Sequence, residues 1–285
     1  MTVTGAFGER MAQPASVLRR TGANLAAWIA ALIRPPRAGA ATRAPWPPAG
    51  RLAIGAGIAI AATAAAMAFL DSWAVGHHRS VPLWLITVFG ELTDFGKSGW
   101  FLFPAGILLV AVAALASPAL GRTAYLVLVS LAVRLGFVFL AVAVPSLFVT
   151  IVKRLIGRAR PLRIEGSDLS FAPFSWRADF ASLPSGHSTT AFAAAVALGA
   201  VFPRARTALW IYAGIIALSR VVLTAHYPSD VIAGAVVGGC GALLVRRWFA
   251  ARRFGFTLSP DGSVRVLPGP SLQRVKKVAR RLAGQ

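Results

Sequence analysis

Long apolar runs, separated by short polar or proline-rich stretches, are the main pattern of the chain. Six runs approach the ~20 residues that an α-helix needs to cross a membrane, and each is predicted to be one span. The predicted spans are Leu52–Leu70, Trp100–Leu115, Thr123–Val152, Gly186–Phe202, Thr207–Thr224 and Asp230–Val245. The pattern therefore predicts an all-α fold, a polytopic membrane protein with a six-transmembrane-helix bundle over residues 51–248.

Polar and small residues refine this pattern at three places. The apolar stretch 81–97 is interrupted by two glycines and three charged residues, which favours a re-entrant or surface segment. Asp71 and Trp73 follow the first predicted span and are expected to end it at the membrane interface. The sixth predicted span has a face of small residues suited to close helix packing. The members of this face are Gly234, Gly238, Gly239 and Gly241.

The two ends of the chain, residues 1–50 and 249–285, are expected to be basic cytoplasmic tails. The apolar run Ala23–Ile33 is too short to span and is flanked by arginines, so we expect a helix on the membrane surface. A signal-peptide core is disfavoured, because the Arg-Pro-Pro-Arg that follows is a poor cleavage site. In the second tail, Ser259–Gly262 favours a turn in a small hairpin, and Leu272–Leu282 is basic and amphipathic.

Composition and charge support a membrane protein and disfavour a nucleic-acid-binding class. Hydrophobic residues make up 56% of the chain, and charged residues only 14%. The net charge is +21, but no nucleic-acid motif accompanies it. Much of this charge lies in the tails, where the positive-inside rule and attraction to anionic lipid headgroups explain it. Both termini are therefore expected in the cytoplasm, with the loops after spans one, three and five on the outer side of a bacterial inner membrane.

Two basic features need a separate explanation. The loop 153–183 is strongly basic although it is expected on the outer side, and anion binding is the natural reason. Arg134 lies deep within the third predicted span. It either belongs to a buried ion pair or, as we favour, faces the bundle and bonds to carbonyl oxygens.

No feature of the sequence indicates a metal or a disulfide. The single cysteine, Cys240, cannot form an internal disulfide and is expected to be a small packing residue. His77 and His78 are adjacent, but no third ligand lies nearby in the sequence, so we interpret the pair as exposed. No metal and no cofactor are therefore expected.

Counting the predicted spans brings four polar segments to one level on the outer side. They carry Lys153, Arg160 and Arg220, three cations that suit a multiply charged anion. Ser185 and Gly186 open the fourth predicted span, where free N–H groups and the positive end of the helix dipole favour an anion. The pattern predicts a phosphate-binding site.

Two histidines at the same level could carry out chemistry on a bound phosphate. Asp230 lies four residues after His226, so its carboxylate could hold one imidazole nitrogen protonated and leave the other as a nucleophile. His187, at the start of a helix, could protonate the leaving oxygen.

The order and spacing of these residues resemble the three-part signature of the type 2 phosphatidic acid phosphatase (PAP2) superfamily. The matching residues are Lys153, Arg160-Pro161, then Pro184-Ser185-Gly186-His187, then Ser219-Arg220, His226 and Asp230. The resemblance implies a metal-independent lipid phosphatase with a helical core, whose partners are a lipid phosphate substrate and the surrounding membrane lipids. Its substrates would include phosphatidic acid, phosphatidylglycerophosphate, undecaprenyl diphosphate or the phosphates of lipid A.

The resemblance also implies a role for each matching residue. His226 would form a phosphohistidine, Asp230 would orient it, and His187 would be the general acid and later the base. The residues that would hold the phosphoryl group are Lys153, Arg160, Ser185, Gly186 and Arg220.

Two other functions share parts of this pattern. A transporter or non-hydrolytic binder of lipid phosphates would need the cations, but it would not need His187 or the His226–Asp230 pair. A vanadate-dependent haloperoxidase has a similar signature, but six predicted spans disfavour that soluble class. Hydrolysis of a lipid phosphate is the function that the residues favour.

Overall fold

The structure, a computed structural model, describes residues 14–36, 47–162 and 170–283. Its helices are α1 (Pro14–Ile33), α2 (Ala49–Phe69), α3 (Asp71–Gly76), α4 (Leu83–Thr93), α5 (Gly99–Leu115), α6 (Arg122–Ile156), α7 (Gly186–Val201), α8 (Arg206–Val222), α9 (Pro228–Ala251) and α10 (Leu272–Leu282). Two short strands, β1 (Phe256–Leu258) and β2 (Val264–Val266), pair in antiparallel fashion. The prediction of a helical membrane protein is confirmed, and so is the small hairpin in the C-terminal tail.

Five segments of the described chain are long and apolar enough to cross a membrane. They are Ala49–Gly76, Leu83–Leu115, Arg122–Ile156, Pro203–Val222 and Pro228–Ala251. The remaining prediction, the fourth span, corresponds to α7, an apolar helix of 16 residues. At 1.5 Å per residue it is about 24 Å long, shorter than a ~30 Å hydrocarbon core.

Three predicted boundaries differ from the structure. The first span continues past Asp71 into α3, because Asp71 is buried against a cationic partner and has no need to reach water. Residues 81–97 do not form a separate segment: α4 leads through a 3-10 turn into α5, and Leu83–Leu115 qualifies as one candidate span. A re-entrant or surface position for α4 stays a prediction. Finally, α9 continues through Arg246 and Arg247, whose long side chains are compatible with a helix end.

The described residues divide into two compact units, and the candidate site belongs to the unit formed by residues 47–102, 138–162 and 170–246. Within that unit α7 is buried along most of its length, with five alanines that have no exposed surface. Gly234 and Gly238 of α9 pack directly on α7, since a Cβ at Gly234 would overlap the Ser185 carbonyl oxygen and one at Gly238 would overlap that of Thr189. Gly241 packs on Pro145, whereas a Cβ at Gly239 would meet open space.

Of the described residues, the other unit contains 14–36, 103–137 and 247–283. In it, α1 binds the end of α5: Arg20 and Asn24 donate to the carbonyls of residues 113, 114 and 116, which a helix end leaves without partners. Val278 of α10 is buried against Ala124 and Val127 of α6. The helices expected in both tails are therefore present, and their position on a membrane surface stays a prediction.

The structure tests the predictions made for two single residues, Arg134 and Cys240. Arg134 donates to the main-chain carbonyls of Ser130 and Leu267 and to the Ser130 hydroxyl, so the carbonyl-bonded alternative is confirmed. Cys240, expected to be a packing residue, is exposed on the surface of α9, and that prediction is wrong. A helix pattern rich in small apolar residues does not show which of them faces outward.

Residues 1–13 and 37–46 of the expected N-terminal tail, and the loop charges Arg163, Glu165 and Asp168, lie outside the described residues.

Candidate active site

Main-chain hydrogen bonds join the polar segments at one end of the unit that contains α7. The N–H of Ser185, just before α7, donates to the carbonyl of Asp230 in the first turn of α9 at 2.9 Å. The N–H groups of Ala225 and His226 donate to the carbonyl of Arg220, at the end of α8. These main-chain hydrogen bonds bring together the ends of three helices that counting the predicted spans places at one level.

Three side chains form what we call the cation set: Lys153, Arg160 and Arg220. Lys153 lies in the last turn of α6, and a Cβ at Gly186 would lie 3.4 Å from its ammonium nitrogen. Arg160 donates from Nε to the carbonyl of Ala178 and from Nη1 to the carbonyl of Ala225, next to His226. Arg220 donates from Nη1 to the hydroxyl of Thr93 at 2.6 Å. These bonds go to neutral oxygen atoms and orient the guanidinium groups.

His187 occupies the first turn of α7, and Ser185 is the residue that precedes the helix. The turn after α4 lies directly against this histidine, since a Cβ at Gly96 would come within 2.9 Å of His187 Cδ2. Ser185 is fully buried, whereas His187 is partly exposed. His187 is therefore placed where it can reach a molecule bound at the start of α7.

His226 and Asp230 are both buried, and they face one another across one turn of chain. Nδ1 of the imidazole lies 3.5 Å from Oδ2 of the carboxylate. This distance is long for a hydrogen bond, and Nδ1 has no hydrogen-bond partner among the described residues. A shift of a few tenths of an ångström would form the bond. Because Nδ1 points at the carboxylate, Nε2 is the nitrogen that remains for chemistry.

Burial keeps His226 neutral. Removal from water lowers the pKa of its imidazole from 6.5 to about 4, and the nearby positive charges of Arg160 and Arg220 contribute in the same direction. The Asp230 carboxylate opposes this shift but does not overcome it. At neutral pH the ring therefore has an unprotonated nitrogen, as a nucleophile requires.

A second group of polar side chains is buried, and it contains two carboxylates, one guanidinium and two hydroxyls. We call it the buried ion network, and its members are Asp71, Arg158, Ser182, Ser229 and Asp230. Arg158 donates from Nη1 to Asp230 at 2.8 Å and from Nη2 to Asp71 at 2.7 Å. Its guanidinium carbon also lies 4.1 Å from the centre of the Tyr227 ring. Arg158, Asp71 and Asp230 are each at most 1% exposed. Such a desolvated network is stable only because each charge has a partner.

Hydroxyl and main-chain groups complete the buried ion network. The Ser229 hydroxyl donates to Asp71 and accepts from Arg158, and the Ser229 N–H donates to Asp71. The Ser182 hydroxyl and the Tyr227 N–H both donate to Oδ2 of Asp230, the oxygen that faces His226. The network therefore fixes the position of Asp230 from both sides.

The structure places all eight predicted site residues at this end of the unit, around the start of α7 and the start of α9. Sequence reasoning missed Asp71, Arg158 and Thr93, which hold the predicted residues in place. A signal existed for the first of them, because a carboxylate beside a long apolar run is costly unless it is paired. The partner of Asp71 lies 87 positions further along the chain, and nothing in the spacing identifies it.

Comparison with known proteins gives an independent result. The sequence model of the PAP2 superfamily matches residues 134–254. A lipid A 1-phosphatase of Rhizobium johnstonii is 40% identical over 184 residues, which cover 61% of this chain and 72% of that protein. One of Rhizobium etli is 39% identical over 184 residues, which cover 61% of this chain and 75% of the relative. A lipid A 4'-phosphatase of Bacteroides thetaiotaomicron is 32% identical over 114 residues, covering 39% of this chain and half of the relative. No solved structure gives a significant match.

Proposed function

From the premise that the chain belongs to the PAP2 superfamily and is a membrane lipid phosphatase, we propose that it removes the 1-phosphate of a lipid A-type glycolipid through a phosphohistidine on His226. The observation that carries the mechanism is the buried His226–Asp230 pair, which points Nδ1 at the carboxylate and leaves Nε2 for attack. The names of the two relatives at 40% and 39% identity support the substrate. They also favour hydrolysis over transport or binding alone.

The first step transfers the phosphoryl group to the protein. The cation set and the N–H groups at the start of α7 bind the phosphate oxygens, where negative charge gathers in the transition state. Nε2 of His226 forms a bond to phosphorus as the bond from phosphorus to the lipid oxygen breaks. His187 donates a proton to the departing oxygen.

The second step returns the protein to its starting state. His187, now unprotonated, takes a proton from a water molecule, which attacks phosphorus on the opposite side from Nε2. The phosphorus–nitrogen bond breaks, and inorganic phosphate leaves. Asp230 stabilises the positive charge that the imidazole carries while phosphorylated, and the buried ion network holds Asp230 in position. The residues do this chemistry without a metal.

The experiment is phosphate release by the purified protein from lipid A in detergent with EDTA, followed by mass spectrometry of the lipid product. We expect loss of the 1-phosphate, and at least a ~10³-fold loss of rate in His226→Ala. His77→Ala, at an exposed histidine outside the site, is the matched control. Release that needs a divalent metal, or that survives in His226→Ala, would overturn the mechanism. Loss of the 4'-phosphate alone would overturn the proposed substrate and leave the mechanism standing.

The intermediate can be detected directly. A rapid acid-free quench with ³²P-labelled substrate should give protein-bound label that is stable in alkali and labile in acid, as a phosphohistidine is. His187→Ala should slow both formation and loss of the label, because the same side chain acts in both steps. Label that survives in His226→Ala would show that another residue accepts the phosphate.

We further propose that both termini face the cytoplasm and that the active site faces the periplasm. The basic tails support this orientation through the positive-inside rule. Because Cys240 is the only cysteine, a Cys240→Ser background with a single new cysteine allows a direct test. In intact cells, a membrane-impermeant maleimide should label a cysteine at exposed Trp176, near the site, and not one at exposed Leu272 in the C-terminal tail. The reverse labelling pattern would invert the topology.

A further inference from the structure

A groove on the outer surface of the α7-containing unit lies apart from the active site. It is an open groove lined by α7, α8 and α9, with a volume of about 490 Å³. Most of its lining is apolar, including Phe192, Val196, Trp210, Val236 and Leu243. Trp210 and Leu243 are each more than 40% exposed, so the groove opens toward the surrounding membrane. Its volume falls in the roughly 300–1,000 Å³ range of small-molecule sites.

Two arginines line the same groove, and both lie far from the catalytic residues. Arg206 begins α8, whose opposite end carries Arg220. Arg246 follows Asp230 by sixteen residues along α9, a separation of about 24 Å at 1.5 Å per residue. The positive end of the groove is therefore at the membrane surface opposite to the active site.

The length of the groove matches one leaflet of a bilayer. Its lining on α9 extends from Ala235 to Arg246, about 16 Å along the helix axis. This is about half of a ~30 Å hydrocarbon core. An apolar channel of that length with cations at its outer end is complementary to an acyl chain that ends in a phosphate.

We propose that this groove binds an anionic phospholipid from the leaflet opposite to the active site, with one acyl chain along α9 and the phosphate on Arg206 and Arg246. Basic pockets between membrane helices attract anionic headgroups, and each arginine near the surface adds to this attraction. A zwitterionic lipid would bring its own positive charge to the same arginines and gain less. The site takes a lipid that is not hydrolysed, so it is independent of the proposed phosphatase mechanism.

Local packing keeps the groove open and positions the arginine at its end. The aliphatic part of Arg206 lies against α7, since a Cβ at Gly199 would be 3.7 Å from its Cγ. A Cβ at Gly239 would meet nothing within 4 Å, so this glycine leaves space in the groove. The neighbouring Cys240 is exposed and lines the groove too, which makes it a reporter of occupancy.

The test measures the rate at which N-ethylmaleimide alkylates Cys240 in the detergent-solubilised full chain. Phosphatidylglycerol should slow the reaction in a saturable manner, and phosphatidylcholine of the same acyl chains should not. Arg206→Gln should raise the half-protecting concentration of phosphatidylglycerol about fivefold, the equivalent of about 1 kcal/mol. Arg204→Gln is the matched control, because Arg204 is an exposed arginine of the same turn that does not line the groove.

A second pair of variants tests the acyl chain. Gly239→Leu should fill the groove and abolish protection by phosphatidylglycerol, whereas Gly214→Leu, an exposed position elsewhere on α8 with equally open space, should leave protection intact. Equal protection by both lipids, equal effects of Arg206→Gln and Arg204→Gln, or equal effects of the two leucines would each overturn the proposal. Protection by soluble glycerol 3-phosphate would also overturn it, because a free phosphate would then suffice.

Discussion

The cation set and the buried ion network use the same types of side chain for opposite purposes. In the cation set, Arg220 donates to a hydroxyl and Arg160 to two carbonyls, so these hydrogen bonds are to neutral oxygen atoms. In the buried ion network, Arg158 lies between two carboxylates and its charge is cancelled inside the protein. Asp230 connects the two, since it faces His226 on one side and Arg158 on the other. The hydrogen bonds of the cation set thus orient its arginines, whereas the ion pairs of the buried ion network hold Asp230 in place away from water.

The largest effect is expected from breaking the buried ion network at its centre. Arg158→Met would leave two buried carboxylates without their cation, and removal of one partner from a buried pair costs about 3–5 kcal/mol. The thermal unfolding temperature in detergent should fall sharply. Arg154→Met is the matched control, because Arg154 lies one turn away and donates to main-chain carbonyls. Equal unfolding temperatures for the two variants would show that the network does not stabilise the fold.

The cation set should give the opposite pattern. Arg220→Gln should lower kcat/KM for lipid phosphate by about 10²–10³-fold, because a cation that stabilises the transition state is lost. The unfolding temperature should stay close to that of the wild type, since no buried carboxylate loses its partner. Steady-state kinetics and thermal unfolding on the same sample make the comparison. A large loss of stability in Arg220→Gln would show that the cation set, like the buried ion network, stabilises the fold.

Asp71 tests whether the buried ion network acts on catalysis through position. Asp71→Asn keeps the shape of the side chain and removes one charge, so we expect a loss of about 1–3 kcal/mol of stability. A positioning role predicts a lower kcat with an unchanged KM, because substrate still meets the full cation set. A purely structural role predicts that kcat per folded molecule is unchanged. Asp71→Glu, which keeps the charge, should recover part of the activity.

The last expected effect is a pH dependence of stability that belongs to His226. The pKa of the His226 imidazole is about 4 in the folded protein, and an imidazole exposed in the unfolded chain has the ordinary value of 6.5. Between pH 4 and pH 6.5 the unfolded chain therefore binds more protons than the folded protein. Stability is therefore lost as pH falls from 6.5 toward 4. The unfolding temperature of the wild type should drop across this window, and that of His226→Gln should drop less. The same slope in both proteins would show that His226 is not the group responsible.

The sequence was sufficient to find the residues of the candidate site. Lys153, Arg160, His187, Arg220 and His226 stand out because each is a polar group at the end of an apolar run. Counting spans then places these ends at one level, and the structure brings them together. The helical class, the C-terminal hairpin and the carbonyl-bonded Arg134 also followed from local pattern and from the cost of burying charge.

The buried partners could not be predicted in the same way. Asp71 looked like the end of a span because a carboxylate there is equally compatible with water and with a distant cation. Arg158 stands among several basic residues, and only the folded chain shows that it points inward between Asp71 and Asp230. Cys240 was misjudged for a related reason, since helix periodicity does not specify which neighbour covers each face. The local sequence pattern does not predict contacts between residues that are distant along the chain.

The shortness of α7 has a consequence at its end away from the active site. With 16 residues this helix covers about 24 Å, whereas the 24 residues of α9 cover about 36 Å. The Ser185–Asp230 main-chain bond joins the starts of the two helices, so the difference in length falls at the turn Pro203–Ala205 that follows α7. A thinner host bilayer should accommodate this turn with less deformation, and the unfolding temperature should therefore rise as the bilayer is made thinner.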